Sequence, residues 1–169
     1  YNTWAKRFSG VGPLCMGSCR FANVLLGGAA AGAAAFPWIP ALLIAGLVIG
    51  ATMLSRDEVA GGKRRGVLAA SAVVGIIVAL AMLWLGVGDR DAWGWLFLAV
   101  FLTFTIPALV RAWRVPSPGA LQGGVKRLVL GIIPLDAVVA AGAAGPLAGC
   151  LVLGLLIPSW GIARWIYVT

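Results

Sequence analysis

Residues 54–88 read LSRDEVAGGKRRGVLAASAVVGIIVALAMLWLGVG. The first part, 54–66, holds two acids, four bases and three glycines, whereas the stretch 67–88 holds no charge at all. An uncharged run of about 20 residues is the length an α-helix needs to cross the roughly 30 Å hydrocarbon layer of a bilayer. The run has no apolar/polar alternation, which argues against the strands of a membrane barrel.

Working outward, the same pattern repeats. Apolar segments occupy about 12–34, 37–54, 67–88, 93–112, 125–143 and 146–166, separated by short breaks carrying Pro, Gly or charge. Of 169 residues, 62% are hydrophobic and 11% charged, and the mean hydropathy is +1.02. A soluble domain would carry roughly 25% charged residues. The expected fold is therefore an all-α transmembrane bundle of about six helices in a single domain, with the lipid bilayer as its solvent.

The net charge of +8 is dealt out between apolar segments and forms no continuous basic stripe, so a nucleic-acid partner is not expected. If the N-terminus is cytoplasmic, one side of the membrane carries Lys6, Arg7, Arg56, Lys63, Arg64, Arg65, Arg111, Arg114, Lys126, Arg127 and Arg164. The other side carries only Arg90, in the loop GDRDA. This bias places both termini in the cytoplasm. Trp38, Trp84, Trp93 and Trp95 then fall near the outer interface, and Trp4, Trp113, Trp165 and Tyr167 near the inner one.

Three cysteines, Cys15, Cys19 and Cys150, lie within apolar segments and, in a chain without histidine, read as small buried hydrophobes. Gly28 with Gly32, and Gly46 with Gly50, have the four-residue spacing that lets membrane helices approach closely. Pro107, Pro134 and Pro158 fall inside expected spans, where each should kink its helix and free a carbonyl.

Polar groups at membrane depth are costly and therefore functional candidates. Arg20 and Asn23 share one face of the first span with Met16, Cys19 and Gly27. Asp136 lies at a similar depth in the fifth, so Arg20 and Asp136 are expected to pair or to face one polar cavity. These groups are too few to line a transporter path.

In the opening stretch, Asp57 and Glu58 follow the second span, Gly61 and Gly62 give a turn, and Lys63, Arg64 and Arg65 follow. Carboxylates beside glycines and bases suit Mg²⁺ with a diphosphate, because Mg²⁺ takes hard oxygen ligands including phosphate oxygens. Adjacent acids on a helix point about 100° apart and form no same-face pair, so the residue pattern alone reads better as a basic cytoplasmic loop.

The order YNTWAKRF, then GPLCMGSCRFANVLLG, then a second helix and LSRDEVAGG resembles the C-terminal half of UbiA-type membrane prenyltransferases. It is nearest to a divergent bacterial branch associated with gene clusters of the Ebo type. The resemblance covers essentially the whole chain, with MGSCRFANVLLG and LSRDEVAGG as its specific parts. It implies a fold of about nine transmembrane helices in a bacterial cytoplasmic (inner) membrane. The implied activity moves a prenyl group from a prenyl diphosphate to an acceptor. It implies Mg²⁺ held by Asp57 and Glu58 in the second of two acidic motifs. It implies diphosphate-binding roles for Tyr1 and Lys6; the polar groups and bases read above, Arg20, Asn23, Lys63, Arg64 and Arg65, complete the candidate substrate-binding set. The first acidic motif has no counterpart in this chain, so the resemblance implies an N-terminal portion or another membrane subunit as partner. The alternative expectation is a non-catalytic scaffold or lipid-binding subunit of a larger membrane complex.

Overall fold

The computed structural model describes residues 10–32, 37–59, 64–87 and 90–166. Among the described residues there are eight helices and no strand. They are α1 (Val11–Ala30), α2 (Trp38–Val59), α3 (Arg64–Gly86), α4 (Trp93–Arg114), α5 (Pro118–Leu130), α6 (Ile132–Ala144), α7 (Pro146–Gly154) and α8 (Leu156–Ile166). Five stretches are long and apolar enough to cross a membrane: α2, α3, α4, α5 with α6, and α7 with α8. Helix α1 has 20 residues but is not among the five, because Arg20, Asn23 and its glycines lower its hydropathy. The six spans expected from sequence are thus five clear ones plus a more polar edge helix.

Helix α2 is the hub. It packs against α1, α3, α5 and α6, and Leu43, Leu47 and Leu54 are fully buried. Around it the core continues through Ile77, Phe101, Leu128, Leu135 and Val138. Helix α3 lies along α2 but meets α4 far less.

Several segment ends differ from expectation. Helix α2 continues past residue 54 to Val59, so Asp57 and Glu58 are helical, and α3 already begins at Arg64. Charged residues beyond the apolar stretch extend a helix into the interface when no Gly or Pro stops it. Helix α5 starts at Pro118, seven residues before the expected 125. Its cap explains this: Ser117 Oγ accepts from the Ala120 amide at 3.3 Å, and proline at the first helical position loses no hydrogen bond.

Pro134 and Pro158 interrupt their spans, as expected of a proline inside a membrane helix. Each is the third residue of a new helix, where its missing amide has no intrahelical partner to lose. The breaks fall just upstream, at Gly131 and Leu155. Pro107 lies inside α4 and there denies Thr103 its carbonyl partner.

Small residues set the tightest approaches. A Cβ on Gly46 would lie 3.2 Å from Ile77, and one on Gly50 3.5 Å from Val73, so this pair seats α3 on α2. Gly28 abuts Pro37, whereas Gly32 has φ +66° and belongs to the turn after α1, not to a packing face. Gly94 of α4 faces Gly142 of α6, and a Cβ on Gly142 would sit 2.8 Å from Leu85 and 2.9 Å from Trp84. Gly142→Val is therefore expected to destabilise the bundle by about 1–3 kcal/mol, read as a lower thermal midpoint in detergent. Gly75→Ala, with nothing within 4 Å of the added Cβ, should leave the midpoint unchanged or raised.

The end of the bundle opposite the basic residues is closed by Arg90 and Asp91. The Asp91 amide donates to Gly142 O at 3.1 Å, and Asp91 Oδ1 accepts from the Trp93 amide, at the start of α4, at 3.1 Å. Arg90 lies over Trp84 at 4.4 Å, worth about 0.5–1 kcal/mol at an exposed site. Trp84 itself is buried, because the α3–α6 contact takes its ring out of the interfacial belt. Trp38, Trp93, Trp95 and Trp113 are exposed, as belt residues are.

Candidate functional site

The basic end of the bundle gathers the C-terminal turns of α2 and α4 with the N-terminal turns of α3 and α5. Asp57 and Glu58 sit on the last turn of α2; their side chains, with Tyr1, Lys6 and Lys63, lie outside the described residues. Successive residues on a helix point about 100° apart. Two adjacent helical carboxylates therefore present two separate oxygen donors and leave the rest of a Mg²⁺ shell to phosphate oxygens, water and a second acidic segment. Among the described residues no group of three or more acidic, His or Cys side chains gathers to hold a metal.

Arg64 and Arg65 form the first turn of α3. The Arg64 guanidinium lies 5.8 Å from the Trp113 ring centre, which brings the start of α3 against the end of α4. Below this contact the two helices splay. The gap is an apolar groove of about 510 Å³ lined by Leu68, Val74, Gly75 and Val78 of α3 and by Leu102, Ile106, Leu109 and Trp113 of α4. Its volume falls in the roughly 300–1,000 Å³ range of small-molecule sites. From Leu68 to Val78 it runs about 15 Å along α3, at 1.5 Å per residue. Gly75 leaves it wide, since no atom lies within 4 Å of where its Cβ would be.

Arg20 is elsewhere. It lines a cavity of about 210 Å³ between α1, α2, α5 and α6, together with Met16, Thr52, Ser55 and Ile132. Asp136, one turn beyond Ile132, is within coulombic range of Arg20, although the two make no direct ion pair. Thr52 donates to Val48 O at 2.7 Å and Ser55 to Thr52 O at 2.9 Å, so both hydroxyl oxygens keep lone pairs free towards the cavity. Asn23 is exposed on the same side of α1. The structure thus sets Arg64 at the groove and Arg20 near Asp136, as two separate clusters.

The groove had no sequence signal. Leu68, Gly75, Ile106 and Trp113 are ordinary members of apolar spans, and only the splay of α3 from α4 makes them a surface. A second apolar recess, of about 700 Å³, lies between α4 and α7–α8, lined by Phe104, Cys150, Leu153, Ile157 and Trp160. Among the described residues no charged side chain is part of its lining. Comparison with protein-family models, with curated proteins and with solved structures finds no match.

Proposed function

We propose that the chain is the C-terminal part of a UbiA-type prenyltransferase of a bacterial cytoplasmic membrane, with its basic end in the cytoplasm. One observation carries the reading: the apolar α3–α4 groove runs up to the Arg64–Trp113 contact at the start of α3, six residues after Glu58 in the sequence. A prenyl diphosphate has the matching shape, a long apolar tail joined to a polyanion.

In this reading the tail occupies the groove and excludes water. Lys6, Lys63, Arg64 and Arg65 neutralise the diphosphate, and Tyr1 donates to it. Asp57 and Glu58 hold Mg²⁺, which when bound withdraws charge from the diphosphate oxygens. The bond between the allylic carbon and the diphosphate oxygen breaks, and the electron pair leaves with the diphosphate. The apolar walls surround the allylic cation until the acceptor attacks it and releases a proton. Arg20 borders a separate cavity between α1, α2, α5 and α6, so this reading gives Arg20 and Asn23 no step at the allylic carbon. A second acidic loop comes from an N-terminal portion or a separate membrane subunit.

A lipid-binding subunit without catalysis uses the same groove and needs no acids. The two readings separate on one experiment. The full membrane protein, with any N-terminal portion or partner subunit, is incubated with labelled prenyl diphosphate and Mg²⁺. Release of inorganic diphosphate that stops on chelation is the expected result. Binding without release supports the subunit instead.

A further inference from the structure

A different concavity opens on the other side of α4. Pro107 and Arg111 of α4 face Gly119, Gly123, Gly124 and Arg127 of α5 across a slot of about 260 Å³. It differs from the apolar groove in lining: two arginines border it, and no carboxylate does among the described residues. One guanidinium is already fixed. Arg127 Nη1 donates to Phe104 O at 3.3 Å, and the group lies 5.3 Å from the Phe104 ring centre. This carbonyl neighbours the one that Pro107 leaves without an amide. The other guanidinium, Arg111, makes no side-chain hydrogen bond or ion pair among the described residues.

Position adds to chemistry. Arg111 is three residues from the end of α4, and Gly119 is the second residue of α5. The mouth of the slot is thus at the level where a bilayer keeps its phosphates. Gly119 and Gly123 are a helical turn apart on the face that also bears Arg127, and nothing lies within 4 Å of a Cβ at either. Bare backbone therefore lets a bulky tetrahedral anion approach both arginines. A guanidinium presents a planar fork of donors that fits two phosphate oxygens at once. Basic pockets between transmembrane helices on the cytoplasmic side are where anionic headgroups dock.

We propose that the α4–α5 slot binds the phosphate of an anionic membrane lipid, gripped by Arg111 and Arg127. The site is separate from the α3–α4 groove and does not depend on the prenyltransferase reading.

The test uses the full-length protein in detergent, with short-chain phosphatidylglycerol, short-chain phosphatidylcholine and inorganic phosphate as probes, read by thermal midpoint and by lipid adducts in native mass spectrometry. Phosphatidylglycerol should bind at least tenfold more tightly than phosphatidylcholine. Arg111→Gln, which removes charge, and Gly123→Leu, which fills the slot, should each abolish that preference, while Arg111→Lys retains part of it. Both altered positions are solvent-exposed, so the lipid-free midpoints should match that of the unaltered protein. Equal binding of the two lipids overturns the proposal. So does a preference that survives both Arg111→Gln and Gly123→Leu. Protection by inorganic phosphate equal to that by phosphatidylglycerol shows a free-anion site and overturns the lipid assignment.

Discussion

Gly75→Phe is expected to weaken prenyl diphosphate binding more than tenfold while leaving the bundle folded. Gly75 is about two-thirds of the way along the groove wall from Leu68 to Val78 and meets nothing within 4 Å of its would-be Cβ, so a phenyl ring there enters the groove and not the core. Displacing only two buried methylene equivalents of the tail costs about 1.6 kcal/mol, a little over tenfold in affinity. Equilibrium binding of labelled prenyl diphosphates of several chain lengths checks this. The loss should grow with chain length, because longer tails reach past residue 75 and shorter ones stop before it. The thermal midpoint separates the effect from unfolding, and should stay at the value of the unaltered protein.

The second large effect is expected from Asp57→Asn combined with Glu58→Gln. If these carboxylates hold the metal that draws charge off the diphosphate, removing both should lower turnover by about 10²–10³-fold or more, the scale seen when one preorganised electrostatic group is lost. Binding of the tail should fall much less, because the groove is intact. Rate and affinity measured together are therefore decisive: a fall in both of the same size would place the acids in general binding. Each single substitution should retain part of the activity, since adjacent helical side chains point about 100° apart and reach different oxygens.

What the sequence revealed was the part governed by local chemistry. Uncharged runs of bilayer length identified α2, α3 and α4, and the spacing of Gly46 and Gly50 marked a face that does receive α3. Ends were harder to read, because hydropathy reports where lipid stops and not where helix stops. Asp57 and Glu58 leave the apolar stretch without leaving α2, and Ser117 with Pro118 starts α5 before its apolar stretch begins. Gly32, at the expected packing distance from Gly28, forms a left-handed turn instead. The candidate sites depend on non-local geometry. Gly75 is one of 24 glycines until the splay of α3 and α4 exposes it, and nothing in the order of residues ties Arg127 to the carbonyl of Phe104. Arg20 and Asp136 were visible as costly charges in apolar segments, yet that they stand near each other without touching comes only from how α1 and α6 lean on α2.

The central claim is that the prenyl tail lies between α3 and α4 with its diphosphate at the α2–α3 end. Photo-crosslinking tests it most directly: a prenyl diphosphate bearing a photoreactive group at the end of its tail is bound to the full protein, irradiated, and the labelled peptides mapped. Labelling of Gly75, Val78, Leu102 or Ile106, suppressed by unlabelled prenyl diphosphate and by Gly75→Phe, is the predicted result. Suppressible labelling confined to α7 and α8, around Leu153, Ile157 and Trp160, would contradict it.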